Sequence, residues 1–383
     1  MAKNARTLRK LIKASDEAYY QNSLPVLTDE AYDAAFQALK KLERKNKSTA
    51  PKITDKVGEK PSSGFQTEAH EERMLSLDNV YSEDEFLAWY RSVCKELGVE
   101  NVELALQPKV DGLALSLHYS DGAFLKALTR GDGEKGDVVT DNAKRLVDIV
   151  IQSHKMQALA SKLEVRGEVY IPFATFERLN NGLAEEERYS NPRNLASGTM
   201  KSKDPDLIED RGLCFIAYSL IGGSKPTHSA SMDFLDSEGF NTVTTTVCKD
   251  AVEAMSHIRL YESARRDEGF PTDGVVIKIN DIQACKKLGD TSRFVRWGVA
   301  YKYRGTRAKT KLLHIDWQVG RTGKITPRAT LSPVQLDGTV VKAANVHSWS
   351  IVEGLGLYDG CSVEVEKAGE IIPQIVSNLS SGK

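Results

Sequence analysis

The chain has 383 residues, 40% of them hydrophobic and 27% charged, with a formal net charge of −1. That length exceeds one ordinary core, so two or three domains are expected. The near-neutral balance excludes a protein that grips nucleic acid by total charge alone.

In chain order, residues 5–22 and 28–46 read as two helices. Thr28 is placed to cap the second, Asp29 and Glu30 suit its positive start, and Tyr32, Phe36, Leu39 and Leu42 recur at helical spacing. Residues 47–73 carry Pro, Gly, Ser, Thr and Lys without periodicity and read as a connector. Ser82-Glu83-Asp84-Glu85 is a capping box announcing a third helix, with Phe86, Trp89, Tyr90 and Val93 on one face. From 102 to about 220 short strands dominate, with Ser120-Asp121-Gly122 as a hairpin turn. Helical patterns return at 173–180, 230–238 and 250–266, and 274–279 is again a strand. From about 307 onward, runs such as 312–319, 340–343 and 361–367 alternate between glycine turns, the pattern of a small closed OB-like barrel. The class is α+β and multidomain.

Lys109-Val110-Asp111-Gly112 is the most informative stretch. Lys109 follows the strand pattern of 102–108, and Leu113-Ala114-Leu115-Ser116-Leu117-His118-Tyr119 alternates as a half-buried strand does. A lysine at a sheet edge before an Asp-Gly turn can face a phosphate. To attack phosphorus it must first lose a proton, and an ordinary lysine, with a pKa of about 10.4, is almost wholly protonated near neutrality.

Charge is also unevenly spread. Residues 286–328 hold twelve basic side chains against two acidic ones, Asp290 and Asp316, which marks a polyanion-facing surface. The five cysteines, Cys94, Cys214, Cys248, Cys285 and Cys361, never form a Cys-x-x-Cys pair; this fits a reducing compartment and argues against zinc. No run approaches the ~20 apolar residues of a membrane span, and the polar start is not a signal peptide. A cytoplasmic protein with no membrane partner, acting as a monomer, is expected.

Further motifs follow Lys109 in a fixed order: Thr129-Arg130-Gly131-Asp132-Gly133, Glu164-Val165-Arg166-Gly167-Glu168 and Asn191-Pro192-Arg193-Asn194. Then come Asp273-Gly274-Val275-Val276-Ile277-Lys278, Arg296-Trp297-Gly298-Val299-Ala300-Tyr301-Lys302 and Val319-Gly320-Arg321-Thr322-Gly323. This order, with Leu75-Ser76-Leu77-Asp78-Asn79 upstream, resembles the NAD-dependent DNA ligases. The resemblance implies a helical NMN-recognition domain at 1–68 and a mixed α/β nucleotidyltransferase domain, an ATP-grasp-like ligase core, at 69–306. An OB-fold domain follows at 307–383. It also implies sealing of 3′-OH/5′-phosphate nicks in duplex DNA through a lysyl-AMP, with NAD and Mg²⁺ as cofactors, in DNA replication and repair.

The roles it implies are specific. Lys109 is the nucleophile, Lys278 and Lys302 approach the same phosphate, and Asp111, Arg130 and Glu168 contact the nucleotide or a metal-bound water. Tyr218 stacks on adenine, Ser76, Leu77 and Gln107 line its pocket, and Tyr19, Tyr20, Asp29, Tyr32 and Asp33 recognise the nicotinamide half, where aromatic faces suit a cationic ring. Arg193, Lys201, Arg211, Arg265, Arg296 and Arg321 bind DNA phosphates.

Three departures stand out. Gln107 replaces the usual Glu, Lys201 the usual Arg, and Gly136-Asp137-Val138 the usual Gly-Glu-Asp. The family normally continues into zinc, helix-hairpin-helix and BRCT modules, so the chain to Lys383 is expected to be either a naturally minimal form or a piece of a longer ligase. The alternative is a ligase-like protein that binds nicked DNA or adenylates itself and seals poorly.

Overall fold

The computed structural model describes residues 7–15, 29–45, 64–159, 162–183, 188–189, 191–303, 307–319, 325–336, 339–346, 349–368 and 372–380. The chain divides into two compact units, Lys60–Tyr303 and a second made of Met1–Glu59 with Arg304–Lys383.

Helices run over residues 7–15 (α1) and Asp29–Lys45 (α2). Phe36 and Leu39 of α2 are buried, Tyr32 and Leu42 half-buried, and Ile12 of α1 is fully buried. Arg9 Nε donates to Glu43 Oε1 at 2.9 Å and ties the two helices together. Thr28, expected as the cap, lies outside the described residues.

The unit of residues 60–303 is built from β1 (Thr67–Ala69), β2 (Ser76–Val80), α3 (Glu83–Leu97), β3 (Leu104–Val110), β4 (Leu113–Ser120), β5 (Ala123–Thr129) and β6 (Lys135–Asp137). It continues with β7 (Lys162–Tyr170), β8 (Cys214–Ile221), β9 (Thr246–Cys248), β10 (Thr272–Ile279) and β11 (Phe294–Tyr301). A five-stranded sheet has the order β2-β11-β10-β3-β9, and a four-stranded antiparallel sheet the order β5-β4-β7-β8.

One face of the five-stranded sheet, with Leu104, Leu106, Ile277 and Ile279, packs with Phe86, Tyr90 and Val93 of α3 and with Met255 and Ile258 of the helix Ala251–Ala264. Period-2 alternation on the strands thus meets helical spacing on α3. The capping box forms with a variation. Ser82 Oγ accepts from the Glu85 amide at 3.3 Å, while Glu85 Oε2 accepts at 2.8 Å from Tyr81 N, one residue ahead of the cap. Such caps contribute about 1 kcal/mol. The β4–β5 hairpin turns through Asp121 and Gly122, both at positive φ (49° and 77°), the left-handed pair a two-residue turn demands.

Two expectations need correction. Residues 47–73 are not wholly connector: β1 pairs with β6, a three-residue strand too short to show periodicity and held by its partner. The strand after Gly112 is not half-buried. Leu115, Leu117 and Tyr119 enter one core, but Ser116 and His118 on the opposite face are buried as well. Arg166 on the neighbouring strand donates to the carbonyls of Glu72 and Arg73, so the chain after β1 covers that polar face.

In the C-terminal part, β12 (Arg307–Val319), β13 (Ile325–Leu336), β14 (Thr339–Asn345), β15 (Ser362–Ala368) and β16 (Ile372–Asn378) close a barrel in the order β12-β13-β14-β16-β15. The helix Trp349–Gly354 lies between β14 and β15 in the chain, and Leu312, Leu331, Val341, Val363 and Ile375 fill the interior. This is the OB arrangement that the alternating runs predict.

Candidate active site

Lys109 sits near the end of β3. That strand is one in from the sheet edge, so the edge expected from sequence is only local. β9 pairs with Leu104–Leu106 alone, and residues beyond Leu106 have β10 on one side. After Val110 the chain does not turn back as a hairpin. Asp111-Gly112 carries it from the five-stranded sheet into β4 of the four-stranded one. Gly112 is required there, because a Cβ would run into the Val169 carbonyl of β7.

Strand alternation puts Ala105, Gln107 and Lys109 on one face. Register pairs Ala105 with Lys278, Gln107 with Val276, and Lys278 with Gly298, and directly paired residues share a face. Gln107, Lys109, Lys278 and Gly298 therefore line one surface, opposite the apolar face under α3. A Cβ on Gly298 would stand 3.1 Å from Leu77 Cδ2, so the bare glycine leaves room beside Leu77 and Lys278.

Lys109 Nζ donates to Asp273 Oδ1 at 2.7 Å and Oδ2 at 3.0 Å, and Lys302 Nζ lies 3.5 Å from Oδ2. Burial alone would raise the Asp273 carboxyl, but the two ammonium groups and Arg193 hold it below the usual carboxylate range. Gly274 makes the arrangement possible: a Cβ there would meet the Tyr301 carbonyl and Lys302 Cα, so only glycine lets these chain segments come so close. Sequence reasoning missed Asp273 as a site residue. Its signal was the Asp-Gly pair opening the same motif that ends in Lys278.

Arg193 pairs with Asp111. It lies in the first turn of the helix Pro192–Met200, whose Asn191 cap accepts from the Asn194 amide at 2.7 Å. Glu168, paired in register with Ala114, feels Arg193, Lys109, Asp111 and Arg130. Burial pushes its carboxyl up to about 7 against the pull of those cations.

Lys278 is 5% exposed and donates to the Tyr218 carbonyl at 2.9 Å, with its ammonium 5.5 Å from the centre of the Tyr218 ring. Tyr218 is the extra residue where the β7–β8 register shifts, since Arg166 pairs with Ser219 and Gly167 with Ala217. Burial lowers Lys278 to about 7 and raises the Tyr218 phenol. Gln107 Nε2 donates to Thr245 Oγ1 at 3.0 Å, while its Oε1 is buried without a partner.

The arrangement gathers three lysines and three carboxylates at the junction of two sheets, beside an unsatisfied amide oxygen and a glycine gap. Cations of this kind suit a phosphate. Residues 62–306 match the family model described as the NAD-dependent DNA ligase adenylation domain. The chain belongs to the NAD-dependent DNA ligase family. Residues 309–383 match the NAD-dependent DNA ligase OB-fold domain, and residues 1–55 match the DNA ligase-like, N-terminal NAD+-binding domain.

The chain is similar to proteins named DNA ligase. One from Aquifex aeolicus is 38% identical over 98% of this chain and 54% of its own length. Others are from Cytophaga hutchinsonii (39%, over 96% and 56%) and Thermotoga neapolitana (37%, over 97% and 54%). The chain thus spans about half the length of the curated relatives it matches.

The remaining site residues expected of a ligase are distributed as follows. Ser76 opens β2, its amide bonded to the Arg293 carbonyl at 3.0 Å. Asp29, Tyr32 and Asp33 lie at i, i+3 and i+4 on α2, and Tyr32 stacks on Phe36 with ring centres 6.2 Å apart. Tyr19, Tyr20 and Arg321 lie outside the described residues. Among the expected DNA contacts, Arg211 donates to Thr199 Oγ1 at 2.7 Å and Lys201 ends the helix Pro192–Met200. Arg265 lies 4.7 Å over the Tyr303 ring, and Arg296 pairs with Glu96 of α3. Arg193, expected on DNA, belongs by contact to the carboxylate cluster around Lys109. No helix among the described residues is long and apolar enough to cross a membrane.

Proposed function

We propose that this chain seals nicks in duplex DNA, consuming NAD and acting through an adenylate carried on Lys109. The observation that carries the reading is the bifurcated contact of Lys109 with Asp273, in a cluster that also holds Lys302, Asp111, Arg193 and Glu168. An ammonium held by a carboxylate is not a nucleophile. Once its proton has passed to solvent, the Lys109 nitrogen, still positioned beside Asp273, forms a P–N bond to the adenylyl phosphorus. The P–O bond to nicotinamide mononucleotide breaks, and that group leaves with the oxygen.

Lys278 and Lys302 stabilise charge on the phosphoryl oxygens, the largest contribution open to such a site. Gln107 Oε1 accepts from the adenine amino group, Tyr218 and Leu77 flank the base, and Gly298 leaves it room. Asp29, Tyr32 and Asp33 with Tyr19 and Tyr20 take the nicotinamide half. The AMP then passes to a DNA 5′-phosphate and is released when the adjacent 3′-hydroxyl attacks. Mg²⁺, a hard cation, would be held by oxygen ligands from Asp111 and Glu168 and would neutralise phosphate charge. A carboxyl raised by burial, as Glu168 is, gains most from a nearby dication.

Lys201, Arg211, Arg265, Arg296 and Arg321 contact DNA phosphates in this reading; the expected boundary at 68/69 falls inside β1, so the nucleotidyltransferase domain begins before Thr67 and ends at 306/307. The test is joining of a nicked fluorescent duplex with Mg²⁺, run with NAD and with ATP in parallel. Joining with NAD alone, falling steeply with salt, is expected; joining with ATP alone, or none at low salt, refutes the proposal.

A further inference from the structure

Beside the candidate active site, the covered polar face of the four-stranded sheet holds a second set of chemistry-bearing side chains. His70 follows β1, His118 lies on β4 and Glu164 on β7, and one ligand atom from each stands within 4.8 Å of the others. Their exposures are 8%, 7% and 5%. His118 and Glu164 are register partners, and the pairing of β1 with β6 brings in the segment that carries His70.

Hydrogen bonds fix both imidazole tautomers. His70 Nε2 lies 3.2 Å from the Arg130 carbonyl, which only accepts, so Nε2 carries the hydrogen and Nδ1 the lone pair. That Nδ1 is buried and has no hydrogen-bond partner. Ser116 Oγ donates to Glu164 Oε1 at 2.6 Å, so in its 2.9 Å contact with His118 Nε2 it is the acceptor. His118 therefore also keeps its lone pair on Nδ1. An imidazole whose other N–H is anchored on oxygen is the usual outer-sphere setting of a metal-bound histidine. Arg166 Nε donates to Glu164 Oε1 at 2.6 Å, so the hydrogen bonds described for Glu164 both end on Oε1.

We propose that His70, His118 and Glu164 bind one divalent transition-metal ion of the zinc class, pinning the chain after β1 to the four-stranded sheet. Two imidazole nitrogens and a carboxylate suit zinc, with a water completing four ligands. A hard ion such as Mg²⁺ prefers all-oxygen sites and does not compete here. Ligand atoms about 2.0–2.1 Å from a tetrahedral zinc stand roughly 3.4 Å apart, so closure needs movements on the order of an ångström. The absence of paired cysteines bears only on thiolate sites and leaves an imidazole site open.

The test uses the full chain, stripped with chelator and loaded separately with Zn²⁺ and Co²⁺, then desalted. We expect one equivalent retained per chain and a cobalt spectrum of nitrogen and oxygen ligation without a thiolate charge-transfer band. His118→Ala and Glu164→Gln should each lose the equivalent and His154→Ala retain it. Ser116→Ala, which releases His118, should weaken binding by about 10- to 100-fold. Substoichiometric metal, a thiolate band, or full retention by His118→Ala overturns the proposal. Should the variants fail to fold, stoichiometry and the wild-type cobalt spectrum decide alone.

Discussion

Lys109 Nζ donates to both carboxylate oxygens of Asp273, at 2.7 and 3.0 Å, and Lys302 approaches the same carboxylate at 3.5 Å. One carboxylate thus holds together the amine proposed to attack and a second ammonium group. Asp273→Asn keeps the shape and removes the charge. Single-turnover self-adenylation should slow by about 10²-fold, the range for losing the group that positions a reacting amine. An unchanged or faster rate would mean that Asp273 merely parks the lysine.

Lys278 carries the opposite tension, since burial that lowers it to about 7 also costs stability. Between pH 7 and 10.5, its ordinary value, the unfolded chain holds a proton that the folded chain lacks. Stability contributed by this residue therefore rises with pH across that window, and below it the burial penalty is complete. Lys278→Met should raise the unfolding midpoint at pH 7, flatten the rise toward pH 9, and reduce self-adenylation by at least ~10²-fold. Denaturant titrations at both pH values check the sign.

Much of this was legible in the sequence, and the failures have physical causes. The capping box at Ser82, the Asp121-Gly122 hairpin and the alternating barrel runs are local signals, and local geometry obeyed them. Asp111-Gly112 read as a turn, but whether the next strand rejoins the same sheet or enters another depends on partners far along the chain. β1 and the double-sided burial of β4 arise from tertiary pairing, which leaves no periodicity behind. Asp273 escaped because the Asp-Gly pair that opens its motif does not by itself tell a carboxylate that will meet two lysines from one facing water.

Glu168 should govern the acid side of the pH profile. Its folded value of about 7 lies above the ordinary 4.5. Between those values the folded chain keeps a proton that the unfolded chain has lost, so the contribution to stability is present at low pH and fades as pH rises toward 7. If the ionised form binds Mg²⁺ and nucleotide, adenylation should increase from pH 6 to 8. Glu168→Gln should slow it and remove that limb; a variant with the same limb assigns the titration to another group.

Thr245 donates its own hydroxyl to the Val243 carbonyl at 3.2 Å and accepts from Gln107 Nε2, which leaves Gln107 Oε1 as the acceptor for a base. Thr245→Val removes that orientation and lets the amide flip. Selectivity for NAD over its hypoxanthine analogue, compared by kcat/KM, should fall by about 10-fold or more, as expected when a buried polar contact loses its fixed sense. Unchanged selectivity would move adenine recognition elsewhere.

The most direct measurement is intact-protein and peptide mass spectrometry after incubation with NAD and Mg²⁺ in the absence of DNA. The account predicts a single added AMP, mapped to Lys109, absent in Lys109→Ala and not formed from ATP. An adduct on another residue, or one formed from ATP and not from NAD, would contradict it.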